Sequence, residues 1–349
     1  MRLGIFAKTF LRPSPEGVFD ALGITPRRSL GRSYLPFRRR SDMRIPPSVT
    51  KKLARTTIAL RGVAGAEWLN RLPEIISRCE ERWAIKLGPP FPGLQVNWVA
   101  AATCGDGTPA VLKLSFPEDR EFRKEAKALR LFDGRGVARL LRLDLGAGAM
   151  LLERLEPGTP LTTVQDDEEA TLIAADVLGQ LWRAVPPEHP FPLVSDWTRG
   201  LERLRRHFGG GTGPMPSALV ERAEALFAEL IPSQAEPALL HGDLHHSNVL
   251  AARRQPWLAI DPKGVVGESA YDTGALLRNP VELLDTPHPG KVLGRRIDKV
   301  AEQLDLDPSR ARGWGISQAV LAAYWGWEAS GRVWEEALVF AELLSAVRG

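Results

Sequence analysis

The spacing of apolar positions along the chain predicts helices and strands in a definite order. Over residues 49–61 and again over 64–83, apolar side chains recur every three or four positions, which predicts two helices. Residues 95–102 alternate and 110–114 are mostly apolar, so both stretches predict strands, and the Gly-Asp-Gly sequence at 105–107 predicts a hairpin turn between them. The patterned part of the chain therefore begins with helices that lead into a sheet.

More of the same sheet follows. The spacing over 118–132 predicts a helix, and 137–145 and 149–155 predict two further strands. The segment 88–93 contains three prolines and two glycines, so it predicts a loop rather than a strand. A break at 156–158, with the sequence Glu-Pro-Gly, then ends this strand-rich part.

The second half of the chain is mainly helical. Helical spacing recurs in six segments, over residues 168–184, 196–207, 217–230, 292–304, 312–327 and 333–347. Short apolar runs flank 241–248 and continue at 257–260, which predicts short strands. A strand-rich part followed by a helix-rich part predicts an α+β protein. We expect one lobe over 43–155 and the other over 156–349.

Length and charge narrow the choice of function. The 349 residues suggest two domains or one large two-lobed domain. Residues 1–42 carry nine Lys and Arg against three Asp and Glu, whereas the remaining residues carry 37 against 39. A slightly acidic main body argues against a nucleic-acid binder. The composition of 1–42 predicts a disordered basic extension, and Met43 is a candidate for the natural start.

The cysteines and the apolar runs indicate the cellular compartment in which the protein is expected. Two cysteines exclude a disulfide framework and fit a reducing environment, which predicts a cytoplasmic protein. No apolar run approaches the ~20 residues that a membrane helix needs, so we expect no membrane partner.

The strongest chemical signal is a set of three oxygen-bearing side chains in the second half. Asp243 and Asn248 are five positions apart, and Asp261 follows after a short predicted hairpin. Protein kinases place a catalytic Asp, a metal-binding Asn and a metal-binding Asp in this order. Each residue alone is explained more simply as a turn or cap residue. Together they predict phosphoryl transfer, with Asp243 as the catalytic base and Asn248 and Asp261 as ligands of a divalent cation.

The first half offers residues for a nucleotide. Lys113 lies within an apolar strand, and a buried Lys needs a partner or a ligand. We expect Glu125, on the following helix, to form the ion pair that directs Lys113 at phosphates. Backbone groups of Glu153 and Leu155, in the strand that joins the lobes, are candidates to bind adenine. The phosphate-covering loop is either 88–93 or 97–102.

Beyond these patterns, the sequence resembles the aminoglycoside phosphotransferases, in the branch of the streptomycin 6-phosphotransferases and hydroxyurea phosphotransferases. Six segments carry the resemblance: 110–114, 125–129, 151–158, 241–248, 261–264 and 271–272. The resemblance implies a bilobal kinase-like fold with a small strand-rich lobe and a larger helical lobe. It also implies ATP with Mg²⁺ and transfer of the γ-phosphate to a hydroxyl of an aminoglycoside, with streptomycin as the first candidate.

Several alternatives remain open at this point. The acceptor could be hydroxyurea or another small metabolite, or the protein could bind a nucleotide without catalysis. Lys263 could touch phosphate or only neutralise the acidic cluster, and Asp272 is expected to be buried beside the loop that carries Asp243. Aromatic residues near the C-terminus are expected to pack in the core, with stacking on a sugar ring as the second possibility: Trp314, Tyr324, Trp325, Trp327 and Trp334. The sequence leaves the oligomeric state open.

Overall fold

The computed structural model describes residues 49–347 of the protein, so the predictions for 1–42 and for Met43 lie outside the described residues. The strand-rich part contains two helices and five strands. They are α1 (Lys51–Trp83), β1 (Ile85–Pro90), β2 (Trp98–Cys104), β3 (Pro109–Leu114), α2 (Arg120–Phe132), β4 (Leu140–Asp144) and β5 (Ala149–Glu153). The strands form one antiparallel sheet in the order β1-β2-β3-β5-β4.

The prediction of a loop over 88–93 is wrong in its first half, because β1 ends at Pro90. Ile85 and Leu87 pair with β2, and the register shifts between Leu87 and Pro90. Proline lacks the N–H that a central strand needs, but β1 lies at the edge of the sheet, where one side of the strand needs no partner. The prolines therefore mark an edge strand.

Helix α1 covers the two helices that the pattern predicts. They meet at Gly62, whose φ of 57° and ψ of −132° are not helical, so the axis bends there. Pro73 lies inside the helix. Apolar residues of α1, among them Leu53 and Leu72, pack with Trp98 and Leu112 of the sheet into one buried cluster.

The helix-rich part contains seven helices among the described residues. They are α3 (Asp167–Leu181), α4 (Val194–His207), α5 (Ser217–Leu230), α6 (Thr273–Leu277), α7 (Pro289–Leu304), α8 (Pro308–Ser330) and α9 (Glu335–Ala346). Five short strands accompany them: β6 (Arg183–Ala184), β7 (Ala238–Leu240), β8 (Val249–Ala251), β9 (Trp257–Ala259) and β10 (Val265–Gly267). Strands β10, β7 and β6 form one small sheet, and β8 and β9 form a hairpin. The sequence pattern missed α6, β6 and β10, and the helix predicted over 168–184 ends at Leu181, since residues 183–184 pair with β7.

The two parts share an apolar core. Phe122 and Leu129 of α2 pack in the same buried cluster as Leu178 of α3 and Leu239 of β7. Asp119 caps the N-terminus of α2 by accepting a hydrogen bond from the Glu121 N–H. This packing brings β3 and α2 against the loops around β7, β8 and β9. The division into lobes at residue 156 remains a prediction.

Candidate active site

A buried lysine in the centre of the sheet joins two carboxylates. Lys113 lies on β3, between β2 and β5, and its side chain is 3% exposed. Its Nζ is 2.7 Å from both carboxylate oxygens of Glu125, on α2, and 2.7 Å from Oδ1 of Asp261. Apolar residues before and after Lys113 keep β3 buried, so the ammonium takes its partners from inside the protein. The structure thus brings together three of the predicted site residues.

Burial and charge act against each other in this cluster. Burial opposes the charged form of Lys113, but Asp261 and Glu125 outweigh it and raise the pKa of the ammonium. Burial raises the pKa of Glu125, although Lys113 partly compensates. For Asp261, burial is outweighed by Lys113 and Lys263, which lower its pKa. The cation is therefore held between one strongly ionised carboxylate and one that ionises less readily.

The segment that carries Asp243, residues 241–248, is called the catalytic loop below. A fully buried carboxylate holds its start: Asp272 accepts hydrogen bonds from the N–H groups of His241 (2.8 Å) and Gly242 (2.7 Å) and from Trp182 Nε1 (3.2 Å). Burial raises the pKa of Asp272 to about 6. The expectation that Asp272 lies buried beside this loop agrees with its position.

His241 fixes the next turn of the loop. Its Nε2 lies 2.9 Å from the Ile260 carbonyl, and its Nδ1 accepts the N–H of Asp243 at 3.2 Å. These contacts require a neutral ring with the proton on Nε2, and burial lowers the pKa of His241 to about 4. Gly242 has a φ of 81°, a conformation that glycine adopts without strain. The backbone around Asp243 is therefore fixed on both sides.

A buried arginine that the sequence analysis missed contacts the predicted base. Arg278, at the end of α6, is 1% exposed, and its Nη2 lies 3.4 Å from Asp243 Oδ1. Its other terminal nitrogen donates to Gln318. Burial lowers the pKa of Arg278, while Asp243 opposes that shift. Arg278 follows an apolar run in the sequence, and a charged residue in that context was the available signal.

The β8–β9 hairpin brings Asn248 and Asp261 to one place. Asn248 precedes β8, Asp261 follows β9, and the Ile260 N–H donates to the Asn248 carbonyl at 2.9 Å. The Asn248 amide nitrogen donates to the Asp243 carbonyl at 3.0 Å, which leaves its side-chain oxygen for another group. Asp261 adopts a left-handed φ of 59°, which Asp tolerates better than most residues do.

These two side chains fit a magnesium ion that keeps waters and substrate oxygens. Carboxylate and amide oxygens are its preferred protein ligands, and phosphates commonly supply others. Over residues 49–347 there is no cluster of three or more His, Cys, Asp or Glu side chains that could hold a metal. A site of one Asp, one Asn and nucleotide phosphates is compatible with that finding.

A cleft of about 710 Å³ lies beside the Lys113 cluster. Its walls include Glu125 and Asp261 at one side and the predicted hinge residues Glu153 and Leu155 at another. Phe91, directly after β1, also lines it, so the 88–93 candidate for the phosphate-covering loop borders the cleft. Three of the four predicted nucleotide residues, Glu125, Glu153 and Leu155, therefore line one cleft, and the fourth, Lys113, bonds to two residues of its wall.

The side chain of Glu153 forms an ion pair with Arg254. Its two carboxylate oxygens each lie 2.9 Å from the guanidinium of Arg254, in the β8–β9 turn, and one also accepts the Arg139 N–H. Arg254 further donates to the carbonyls of Gly134 and Val137. The Glu153 carboxylate is therefore engaged within the protein, and the predicted contact of Glu153 and Leu155 with adenine, which uses their backbone groups, does not depend on it.

Comparison with known proteins identifies the family. The sequence profile of the aminoglycoside/hydroxyurea antibiotic resistance kinases matches residues 87–330. The chain belongs to this kinase family. It is 33% identical over 276 residues to a streptomycin 6-kinase of Streptomyces griseus, covering 76% of this chain and 86% of the relative. It is 34% identical over 320 residues to a hydroxyurea phosphotransferase of Kitasatospora aureofaciens, covering 88% and 87%.

A solved structure shows the same fold. A thermostable mutant of the aminoglycoside phosphotransferase APH(4)-Ia, in ternary complex with ADP and hygromycin B, superposes with a TM-score of 0.54 at 13% identity. The match covers 79% of this chain and 97% of that one. The predicted family and the predicted kinase-like fold are both confirmed. Among the described residues, no helix has the length and apolar character needed to cross a bilayer.

Proposed function

We propose that the protein is an ATP-dependent phosphotransferase that transfers the γ-phosphate to a hydroxyl of an aminoglycoside, with streptomycin as the first candidate. The observation that carries the proposal is the set of hydrogen bonds that links Asp243, Asn248 and Asp261 to Lys113. Lys113 bonds to Asp261, the Asn248 side chain bonds to the Asp243 carbonyl, and Ile260, next to Asp261, bonds to the Asn248 carbonyl. Asp261 also lines the cleft. The family membership and the streptomycin 6-kinase relative support it.

Each residue has a task in this reaction. Asp243 orients the acceptor hydroxyl and accepts its proton as the hydroxyl oxygen bonds to the γ-phosphorus. The bond between that phosphorus and the β–γ bridging oxygen breaks, and ADP leaves with the electron pair. Arg278 and the hydrogen bonds of the catalytic loop hold Asp243 in place. Most of the acceleration then comes from positioning.

Asn248 and Asp261 would hold Mg²⁺ through their oxygens. When bound, the ion supplies charge neutralisation to the phosphates. Lys113 binds the phosphates from the sheet side, and Glu125 keeps the ammonium in the cleft. Backbone groups of Glu153 and Leu155 are proposed to bind adenine, since both residues line the cleft. ADP bound to a protein of the same fold supports a nucleotide at this position.

Hydroxyurea is the second candidate acceptor, because a hydroxyurea phosphotransferase is 34% identical over 88% of the chain. The slightly acidic main body is compatible with a polycationic aminoglycoside, which its field would attract. We therefore place streptomycin first. A protein that binds a nucleotide without catalysis is the outcome if no acceptor is phosphorylated.

The test measures ADP release and acceptor phosphorylation by the full chain with streptomycin, other aminoglycosides and hydroxyurea. Asp243→Ala should abolish transfer while nucleotide affinity stays within about twofold, because Asp243 contacts the acceptor rather than the phosphates. Asp298→Ala, which removes an exposed carboxylate on α7, is the matched control and should retain full turnover. Unchanged turnover in Asp243→Ala would contradict the assigned role.

A further inference from the structure

Three half-buried tryptophans are connected to the catalytic loop, one directly and two through other side chains, and the assignments above leave them without a task. Trp197 comes from α4, Trp325 from the end of α8, and Trp334 directly precedes α9. Two other aromatic residues of the same region, Trp314 and Tyr324, are 0% and 2% exposed and belong to the core, as expected from the sequence. The three tryptophans instead keep part of their surface open to solvent.

Trp197 touches the backbone of the catalytic loop. Its ring carbon Cη2 lies 2.9 Å from the place where a Cβ on Gly242 would sit, so no larger residue fits there without a shift. Gly242 is the residue before Asp243.

Trp325 and Trp334 continue the aromatic surface. The rings of Trp197 and Trp325 meet edge to face, with centroids 5.5 Å apart and planes at 88°. Trp334 packs on the next residue, because its Cβ lies 3.1 Å from the position of a Cβ on Gly326. Glycine at this position lets the segment that carries Trp334 approach α8 directly beside Trp325.

Arg278 contacts both Trp334 and Asp243. Its guanidinium carbon lies 6.0 Å from the ring centroid of Trp334, and its Nη2 reaches Asp243 Oδ1. Contacts thus run from Gly242 through Trp197 to Trp325, and from Asp243 through Arg278 to Trp334. Trp334 lies against Gly326, the residue after Trp325. All three indoles are partly exposed and so can contact a bound molecule.

The nearby acidic residue is already engaged. Glu328, one turn after Trp325 on α8, makes a two-point ion pair with Arg203, at 2.7 and 2.9 Å. A cationic molecule that bound to Glu328 would have to displace Arg203 from this pair. Indole faces, by contrast, attract the C–H face of a saturated ring and the face of a guanidinium or ammonium group without any such exchange.

We propose that Trp197, Trp325 and Trp334 form the acceptor subsite, and that it takes a hydroxylated saturated ring with cationic substituents, a sugar or cyclitol. The inference rests on the proposed function and narrows it to ring-bearing acceptors. Hydroxyurea has no ring to stack and gains little from three indoles. The subsite therefore separates the two candidate substrates by chemistry.

The test combines turnover with direct binding in Trp334→Ala, Trp197→Leu and the conservative variant Trp334→Phe. We expect the KM for streptomycin to rise at least tenfold in the first two, while the KM for ATP stays within twofold, and Trp334→Phe should recover most of the loss. Trp83→Leu, which removes a half-buried indole at the end of α1, is the control and should change neither constant. Circular dichroism and the KM for ATP identify a variant that fails to fold.

Two results separate this inference from the proposed function. If the wild type phosphorylates streptomycin and the variants keep its KM within twofold, the subsite is wrong and the function stands. If the wild type transfers phosphate to no acceptor, the function is wrong, and calorimetric titration of streptomycin decides the subsite alone: Trp334-dependent binding supports it, and binding equal in wild type and Trp334→Ala overturns it. An equal loss of hydroxyurea turnover in Trp334→Ala would also overturn the selectivity.

Discussion

Replacing Lys113 by Met tests the energetics of the buried cluster most directly. The substitution keeps the volume of the side chain but leaves the carboxylates of Glu125 and Asp261, both 2.7 Å from Nζ, without their shared cation. Removing one partner of a buried ion pair costs about 3–5 kcal/mol, because the remaining charge stays desolvated. We expect the free energy of unfolding to fall by about that amount at pH 8, and ATP affinity to fall with it.

The stability that Lys113→Met loses should be larger at high pH than at low pH. In the wild type the pKa of Asp261 is lowered, so its contribution to stability is present above the ordinary pKa and disappears as pH falls. Without Lys113, burial is opposed far less: it raises the pKa of Asp261 above its ordinary value of about 4, and it raises the pKa of Glu125, already about 7 in the wild type, further. The folded variant then binds more protons than the unfolded chain, and it loses stability as pH rises. The gap between variant and wild type should widen from pH 5 to pH 8.

Urea unfolding at both pH values, followed by circular dichroism, measures the gap. Lys86→Met is the matched control, because Lys86 is exposed on the edge strand β1, and its unfolding should match that of the wild type. A loss below about 1 kcal/mol in Lys113→Met, equal at pH 5 and pH 8, would refute the reasoning, since Lys113 would then contribute no more than a surface ion pair.

Two further predictions concern the loops of the site. Asp261→Asn should weaken binding of magnesium–nucleotide at least tenfold in a calorimetric titration, because an anionic oxygen ligand and a partner of Lys113 are lost together; unchanged affinity would exclude Asp261 as a ligand. Gly242→Ala should lower kcat by at least tenfold, since its φ of 81° and the contact with Trp197 both disfavour a Cβ; steady-state kinetics with a full rate would show that the loop tolerates the shift.

Much of the architecture could be predicted from periodicity. The helix over 217–230 matches α5 at both ends, and the Gly-Asp-Gly turn does join β2 to β3. The pattern failed at β1, where prolines indicate a loop unless the strand is known to be at an edge, a property of the folded sheet. It also failed at β10 and α6, which have three and five residues and are too short for a period to appear.

The residues of the site divide in the same way into those that lie close together in the sequence and those that only the fold brings together. The spacing of Asp243, Asn248 and Asp261 is local, so the sequence contains it. Arg278 contacts Asp243 across 35 positions, and no spacing rule links the two. Likewise Trp197, Trp325 and Trp334 come from three segments distant in the sequence, and only packing connects them to the catalytic loop.

The contacts of Arg254 have a mechanical consequence. Its guanidinium lies in the β8–β9 turn and bonds to two other segments. These are the connecting strand, at Glu153, and the segment after α2, at Gly134 and Val137. Because these bonds join three segments distant in the sequence, the connecting strand and the β8–β9 turn should keep their relative positions when a molecule enters the adjacent cleft.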